Sequence, residues 1–268
     1  MDCILRYQNS SLAYHKTGSG KKALLLFHGF GQHHQAFDAL TESLGSHYTL
    51  FAFDLFFHGQ SKWSEGEHPL EKSTWGEIMT RFFNENNLER FSVLGFSMGG
   101  KFALATLELF PSRIENLILL APDGIKTSFW YSLATYPLLL RKFFRSMILH
   151  PGRLHKLVSL LRTWQWVDKG VLRFAEHQMN TREKRERVYY SWVVFRHLYF
   201  DMKSIAALIQ EQSIPLTLIV GKHDKIITAT NMRHLLRYLP QHPCLVVDSG
   251  HNQIIEESIP AVKQVLGL

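Results

Sequence analysis

Apolar and polar positions along the chain follow two rhythms. Mostly apolar runs at Ala23–Phe27, Tyr48–Phe53, Phe91–Leu94, Leu117–Ala121, Leu216–Val220 and Leu245–Asp248 read as strands, the continuous run Ala23–Phe27 as one buried on both faces. Between them lie helical spacings: Ala36, Phe37, Leu40 and Leu44, then Ile78, Met79, Phe82 and Phe83, then Phe102, Ala103, Ala105, Thr106 and Leu109. Two more helices are expected at 231–238 and 257–266, and Thr74 with Glu77 has the pattern of a capping box. Ile4–Tyr7 and Leu12–His15, separated by Gln8-Asn9-Ser10-Ser11, predict an N-terminal hairpin. Apolar strands alternating with helices predict an α/β chain, its mostly parallel sheet carrying helices on both faces.

The alternation stops at Ile125 and returns near Ser213. The intervening residues read as helical throughout, with aromatics from Phe129-Trp130-Tyr131 through Trp164 and Trp166 to Tyr189-Tyr190 and Tyr199-Phe200. This block follows one strand and hands back to the next. The predicted division is therefore a core of 1–124 and 214–268 with a helical cap inserted at 125–213.

Charge sharpens that division. The chain carries a formal +7, but residues 125–213 hold 15 Lys/Arg against 6 Asp/Glu, a balance of +9 that leaves −2 for the remainder. Three readings fit: a lid whose cations face water, a basic rim that attracts an anionic or amphiphilic substrate, or a peripheral membrane-surface helix. The last draws on Leu133, Pro137, Leu138, Leu140, Phe144 and Ile148 interleaved with Arg141, Lys142 and Arg145. No recognised nucleic-acid motif accompanies the charge, so nucleic acid is not an expected partner. Leu133–Leu149 is the longest candidate for a membrane span, and its three cations argue against that role. Two cysteines, Cys3 and Cys244, supply neither a disulfide framework nor metal-ligand spacing. With no secretory pattern at the N-terminus, the expected home is the cytoplasm.

The candidate chemistry centres on Phe91–Lys101. There a strand runs into Gly95-Phe96-Ser97-Met98-Gly99 and then a helix, the arrangement of a G-x-S-x-G nucleophile elbow. A serine hydroxyl is a weak nucleophile at neutral pH and needs a base, itself oriented by an acid. In an open α/β sheet such groups sit at strand carboxyl ends. Gly221-Lys222-His223-Asp224 and Ser249-Gly250-His251-Asn252 leave the last two strands, giving the chain order Ser97, Asp224, His251. Asp123, ending its own strand, is the rival acid. Of the 15 histidines, His28 and His58 read as loop-structuring and His223 as exposed. His33-His34 lacks a third ligand at useful spacing, so no metal is expected.

These residues, taken together, resemble the α/β-hydrolase superfamily. His28-Gly29-Phe30-Gly31 looks like its oxyanion loop, and Asp54 with His58-Gly59-Gln60-Ser61 resembles its D-x-x-G-H-G-x-S signature. Phe56-Phe57 stands where the family usually carries Pro and Gly. The likeness covers Ile4–Asp123 and Pro215–Leu268. It implies the α/β-hydrolase fold, a mostly parallel eight-stranded sheet with an inserted helical cap. It further implies Ser97 as nucleophile, His251 as base, Asp224 as orienting acid, and the backbone N–H groups of Phe30 and Met98 as the oxyanion hole. The implied activity is hydrolysis of a carboxylic ester or related acyl bond of a small, apolar or amphiphilic molecule, needing no cofactor beyond water. Thioester, lipid-ester, carbon–carbon and lyase chemistry remain open within the serine branch, as does a non-catalytic binding protein of the same fold. A monomer or weak oligomer is expected.

Overall fold

The six mostly apolar runs become the parallel strands of one sheet. They are β3 (Lys22–Phe27), β4 (Tyr48–Phe53), β5 (Phe91–Phe96), β6 (Ile114–Leu120), β7 (Leu216–Gly221) and β8 (Cys244–Val247). The hairpin strands β1 (Asp2–Tyr7) and β2 (Ser10–Thr17) pair antiparallel with each other, and β2 pairs antiparallel with β4. The eight strands lie in the order β1-β2-β4-β3-β5-β6-β7-β8. The chain leaves β3 toward β4 on one side and returns to place β5 on the other. That reversal opens a crevice at the carboxyl ends of β3 and β5, where doubly wound sheets take their ligands.

The structure is a computed structural model that describes residues 1–127, 129–163 and 178–268, with the backbone alone at 129–130, 155, 157–158 and 161–163. Trp164 and Trp166, counted in the aromatic block, lie outside the described residues. The chain divides into two compact units. The first comprises Met1–Ser64, Glu71–Lys126 and Leu198–Leu268, and the second Glu65–Leu70 and Thr127–His197.

In the first unit, strand alternation sends successive side chains to opposite faces of the sheet. Leu24, Leu26, Leu50, Leu94, Ile118 and Ile219 join α1 (Asp38–Leu44), α10 (Ile254–Glu257) and α11 (Ile259–Val265) through Leu40, Leu44, Ile254, Ile255 and Val262. On the other face Phe27, Phe51 and Phe53 meet Trp75 and Phe82 of α2 (Lys72–Glu85) and Phe102 of α3 (Gly99–Leu109). Helix α3 ends at Phe110-Pro111, as proline requires. Helix α2 starts earlier than expected, with Glu71 as N-cap, so Thr74 lies inside it and the capping box does not form. The Glu77 carboxylate instead accepts from the Tyr7 hydroxyl. Helix α8 (Met202–Glu211), expected in the insertion, belongs to this unit. It buries Ile205, Ala206 and Ile209 and is capped by Asp201, whose carboxylate accepts from Ser204 N at 3.0 Å. A capping box does form at Thr228 and Asn231, heading α9 (Ala229–Leu236).

The second unit contains α4 (Phe129–Thr135), α5 (Leu138–Leu149), α6 (Pro151–Thr163) and α7 (Arg182–Val194). Helix α5 buries Phe144, Met147 and Ile148, and the Phe144 ring lies 5.3 Å from Tyr189 and 5.7 Å from Trp192 of α7. Buried Arg185 donates to the Ile148 and Met179 carbonyls at 3.1 and 3.2 Å. Glu65–Leu70 joins through Leu70 N to Val194 O at 2.8 Å and Glu67 to Arg145 at 3.0 Å. Among the described residues no helix is long and apolar enough to cross a membrane.

Candidate active site

The turn after β5 forces Ser97 to a φ of +49°, a region that costs a non-glycine residue on the order of 1–2 kcal/mol. Hydrogen bonds on both sides hold it there. Ser97 N donates to Leu120 O at 3.0 Å, and Ser97 O accepts from Gly100 N and Asp123 N, each at 2.8 Å. The glycines answer to close approach: a Cβ on Gly99 would stand 1.9 Å from Phe27 O, and one on Gly95 2.7 Å from Gly99 O.

Three elements then bring Ser97, His251 and Asp224 together. Ser97 Oγ lies 3.0 Å from His251 Nε2, and His251 Nδ1 lies 2.6 Å from Asp224 Oδ2. Asp224 is buried at the end of β7, where its Oδ1 accepts from Ile226 N at 2.8 Å and Ile227 N at 2.9 Å. A carboxylate so fixed accepts a hydrogen bond from His251 Nδ1–H, which holds the proton on Nδ1 and leaves the Nε2 lone pair for the serine hydroxyl. The Phe96 ring lies 5.1 Å from the imidazole, and a Cβ on Gly29 would come within 2.7 Å of that ring.

The loop after β3 is pinned on either side of Phe30. Gly29 N donates to Gln32 Oε1 and Gly31 N to His58 Nε2, each at 3.0 Å. Among the described residues, the N–H groups of Phe30 and Met98 have no protein acceptor. His58 carries its proton on Nδ1, donating to Phe56 O at 3.0 Å. His28 is arranged alike: fully buried, it donates from Nδ1 to Gly29 O at 2.7 Å and accepts Leu55 N on Nε2 at 3.0 Å. Burial pushes its pKa down to about 4, against the opposing pull of the Gly29 carbonyl and Asp54. Asp54 anchors the neighbouring loop by accepting from His34 N at 2.8 Å, His34 Nδ1 at 2.9 Å and Gln60 N at 2.9 Å. Burial raises its pKa, but these donors outweigh it and the net shift is downward. Gly59 must be glycine beside it, because a Cβ would lie 1.9 Å from Asp54 Oδ2. Phe57, where the resembled family usually has glycine, sits at φ +69°.

The other candidates fall elsewhere. Asp123 is held by Lys101 Nζ at 3.3 Å and Gly124 N at 2.7 Å. His223 pairs on the surface with Asp248 at 2.8 Å. Linear spacing offered His33 and His34 no carboxylate, yet folding supplies two. Asp54 lies beside both histidines, and Asp2 with His15 lies beside His34, each trio having ligand atoms within 4.8 Å of one another. Gln32, Phe96, Lys101 and the N–H groups of Ile226 and Ile227 were not anticipated. The second glycine of Gly99-Gly100 was the available signal for the tight packing here, since a Cβ on Gly100 would meet Pro122 at 2.6 Å and Asp123 O at 2.7 Å. A surface groove of about 540 Å³ lies against α2 and the end of α3, lined by Gly76, Glu77, Arg81 and Phe110 but by none of these groups.

Known proteins bear on this geometry. The model of the family described by the alpha/beta hydrolase fold matches residues 22–258. An uncharacterised protein of Mycobacterium tuberculosis is 29% identical over 113 residues, which cover 42% of this chain and 32% of that protein. The chain thus matches about a third of the length of such relatives. A protein of Nitrosomonas europaea named pimeloyl-[acyl-carrier protein] methyl ester esterase is 24% identical over 245 residues, 87% of this chain and 88% of the relative. A solved thermophilic esterase of Thermogutta terrifontis superposes with a TM-score of 0.72 at 21% identity, covering 100% of this chain and 98% of that one. At that identity the likeness speaks for the fold alone.

Proposed function

Because the chain belongs to the alpha/beta hydrolase family, we propose that it is a serine hydrolase cleaving a carboxylic ester or related acyl bond through an acyl-enzyme. One observation carries this reading: the continuous hydrogen-bonded path from Ser97 Oγ through His251 to Asp224, at 3.0 and 2.6 Å. In the first half-reaction Ser97 Oγ attacks the acyl carbon while its proton passes to His251 Nε2. The carbonyl oxygen becomes an oxyanion facing the N–H groups of Phe30 and Met98, where each donor is worth about 2.7–4 kcal/mol. The tetrahedral species collapses, and the leaving group takes the proton from Nε2. Water then attacks the acyl-enzyme, gives its proton to His251, and the acid departs as Ser97 Oγ recovers a proton. Asp224 keeps the imidazole in the tautomer that both steps need.

The substrate reading is coarser. The methyl ester esterase name of the Nitrosomonas relative supports an ester. The aromatic, basic insertion, read as a cap, supports an apolar or amphiphilic acyl group. The cysteine usage supports a cytoplasmic setting. The competing reading is a ligand-binding protein that keeps the triad without using it.

Initial rates on a short p-nitrophenyl ester separate the two. The hydrolase reading expects turnover by wild type and only background hydrolysis by Ser97→Ala. Equal rates from both proteins would mean that Ser97 is not the nucleophile. A folded wild type inert across acyl lengths would favour the binding protein.

A further inference from the structure

Helix α5 is apolar on two opposite sides. Phe144, Met147 and Ile148 point into the second unit. At 100° per residue, the side facing away from them carries Leu138, Leu139, Lys142, Ser146 and Leu149, with Phe143 at its border. A surface helix ordinarily turns polar residues to water there. Instead Leu138 is 63% exposed, Leu139 80%, Phe143 46% and Leu149 62%. The charged side chains that α5 and α6 themselves carry have one sign. From Thr127 to Thr163 the sequence contains six Lys/Arg and no Asp/Glu. Lys142, at the centre of the outward face, is exposed, as are Arg153 and Lys156 on the following helix, while Arg145 at the border pairs with Glu67.

We propose that this face of α5, with the start of α6, docks on an anionic lipid surface. Leu138, Leu139, Phe143 and Leu149 would enter the boundary between headgroups and acyl chains, and Lys142, Arg153 and Lys156 would meet lipid phosphates. The combination selects the partner. A second copy of the chain would bring together two faces whose charges are all positive, and a free phosphate or a nucleic acid gives four exposed apolar side chains nothing to bury against. An anionic bilayer satisfies both halves. The inference does not depend on the serine chemistry, since docking is read as binding and Ser97→Ala should dock like wild type.

The test is co-sedimentation of the full chain with vesicles of equal parts phosphatidylcholine and phosphatidylglycerol, and with phosphatidylcholine alone. Wild type should pellet with the anionic vesicles at low salt and be released at high salt. Lys142→Gln should weaken partitioning about fivefold, the value of one cation near such a surface. Leu139→Glu/Phe143→Glu, a double change of outward side chains, should abolish it while circular dichroism stays that of wild type. No pelleting of wild type, or pelleting of the double variant at the wild-type level, would overturn the proposal. So would equal binding to both vesicle types, or a fall in oligomeric size in the double variant without loss of vesicle binding.

Discussion

His28 offers a stability prediction whose size follows from its surroundings. The ring is wholly buried, and both nitrogens are committed in the neutral form, Nδ1–H to the Gly29 carbonyl and the Nε2 lone pair to the Leu55 N–H. A second proton would have to sit on Nε2, against an N–H that already points there. The folded-state pKa is accordingly pushed down from 6.5 to about 4, with burial the largest cause. In the unfolded chain the ring takes its proton near pH 6.5. Between these values the unfolded state holds one more proton, so folding stability from this residue is fully present above pH 6.5 and drains away as pH falls toward 4. A displacement of that size corresponds to on the order of 3 kcal/mol. Asp54 does not blur the window: its folded pKa lies below the usual carboxylate value, so its stabilisation is lost only at lower pH. The assay is urea unfolding of wild type and His28→Asn at a series of pH values from 4 to 8. The variant is less stable throughout, but its deficit shrinks by about 3 kcal/mol between pH 7 and pH 4, because it has no ring to protonate. Parallel stability curves for the two proteins would refute the reasoning, showing that His28 does not titrate differently on folding.

Two further outcomes follow from the same geometry. Asp224→Asn should lower kcat/KM for an activated ester by around 10⁴-fold, while Asp123→Asn, bonded to Lys101 rather than to His251, should stay within several-fold of wild type; the reverse ranking would move the acid to β6. Gly99→Ala, whose methyl would meet Phe27 O at 1.9 Å, should cost about 3 kcal/mol or more or prevent folding, whereas Gly152→Ala, with open space around it near the start of a helix, should gain roughly 0.5–1 kcal/mol in thermal unfolding.

The sheet was legible because each parallel strand is a short, mostly apolar run bounded by turn residues, too short for a helix of the usual length. Its reading missed by one to three residues at strand ends, where Gly95-Phe96 or Ile114–Asn116 extend the pairing without extending the apolar run. The Thr74–Glu77 pattern misled because a local cap competes with tertiary partners, and Glu77 serves Tyr7 instead. Ser97, Asp224 and His251 could be picked out because chemistry and turn geometry restrict residue type at strand ends. Their supports could not. Gln32 and the N–H groups of Ile226 and Ile227 act through ordinary side chains or backbone, and any sequence contains many such groups. The reach of the insertion was harder for another reason: α8 is helical like the block before it, and only its packing beside α3 and α9 joins it to the first unit. The outward apolar face of α5 was half visible, since spacing showed leucines among cations but not which side was already buried.

The central claim is that Ser97 is an activated nucleophile, and intact mass after treatment with a fluorophosphonate tests it most directly. Such a reagent phosphonylates a serine only where a base removes its proton and N–H groups receive the developing negative oxygen. Wild type should gain the mass of one adduct, Ser97→Ala none, and Asp224→Asn should label far more slowly. A folded wild type that gains no adduct, or a Ser97→Ala protein that gains the same one, would contradict the account.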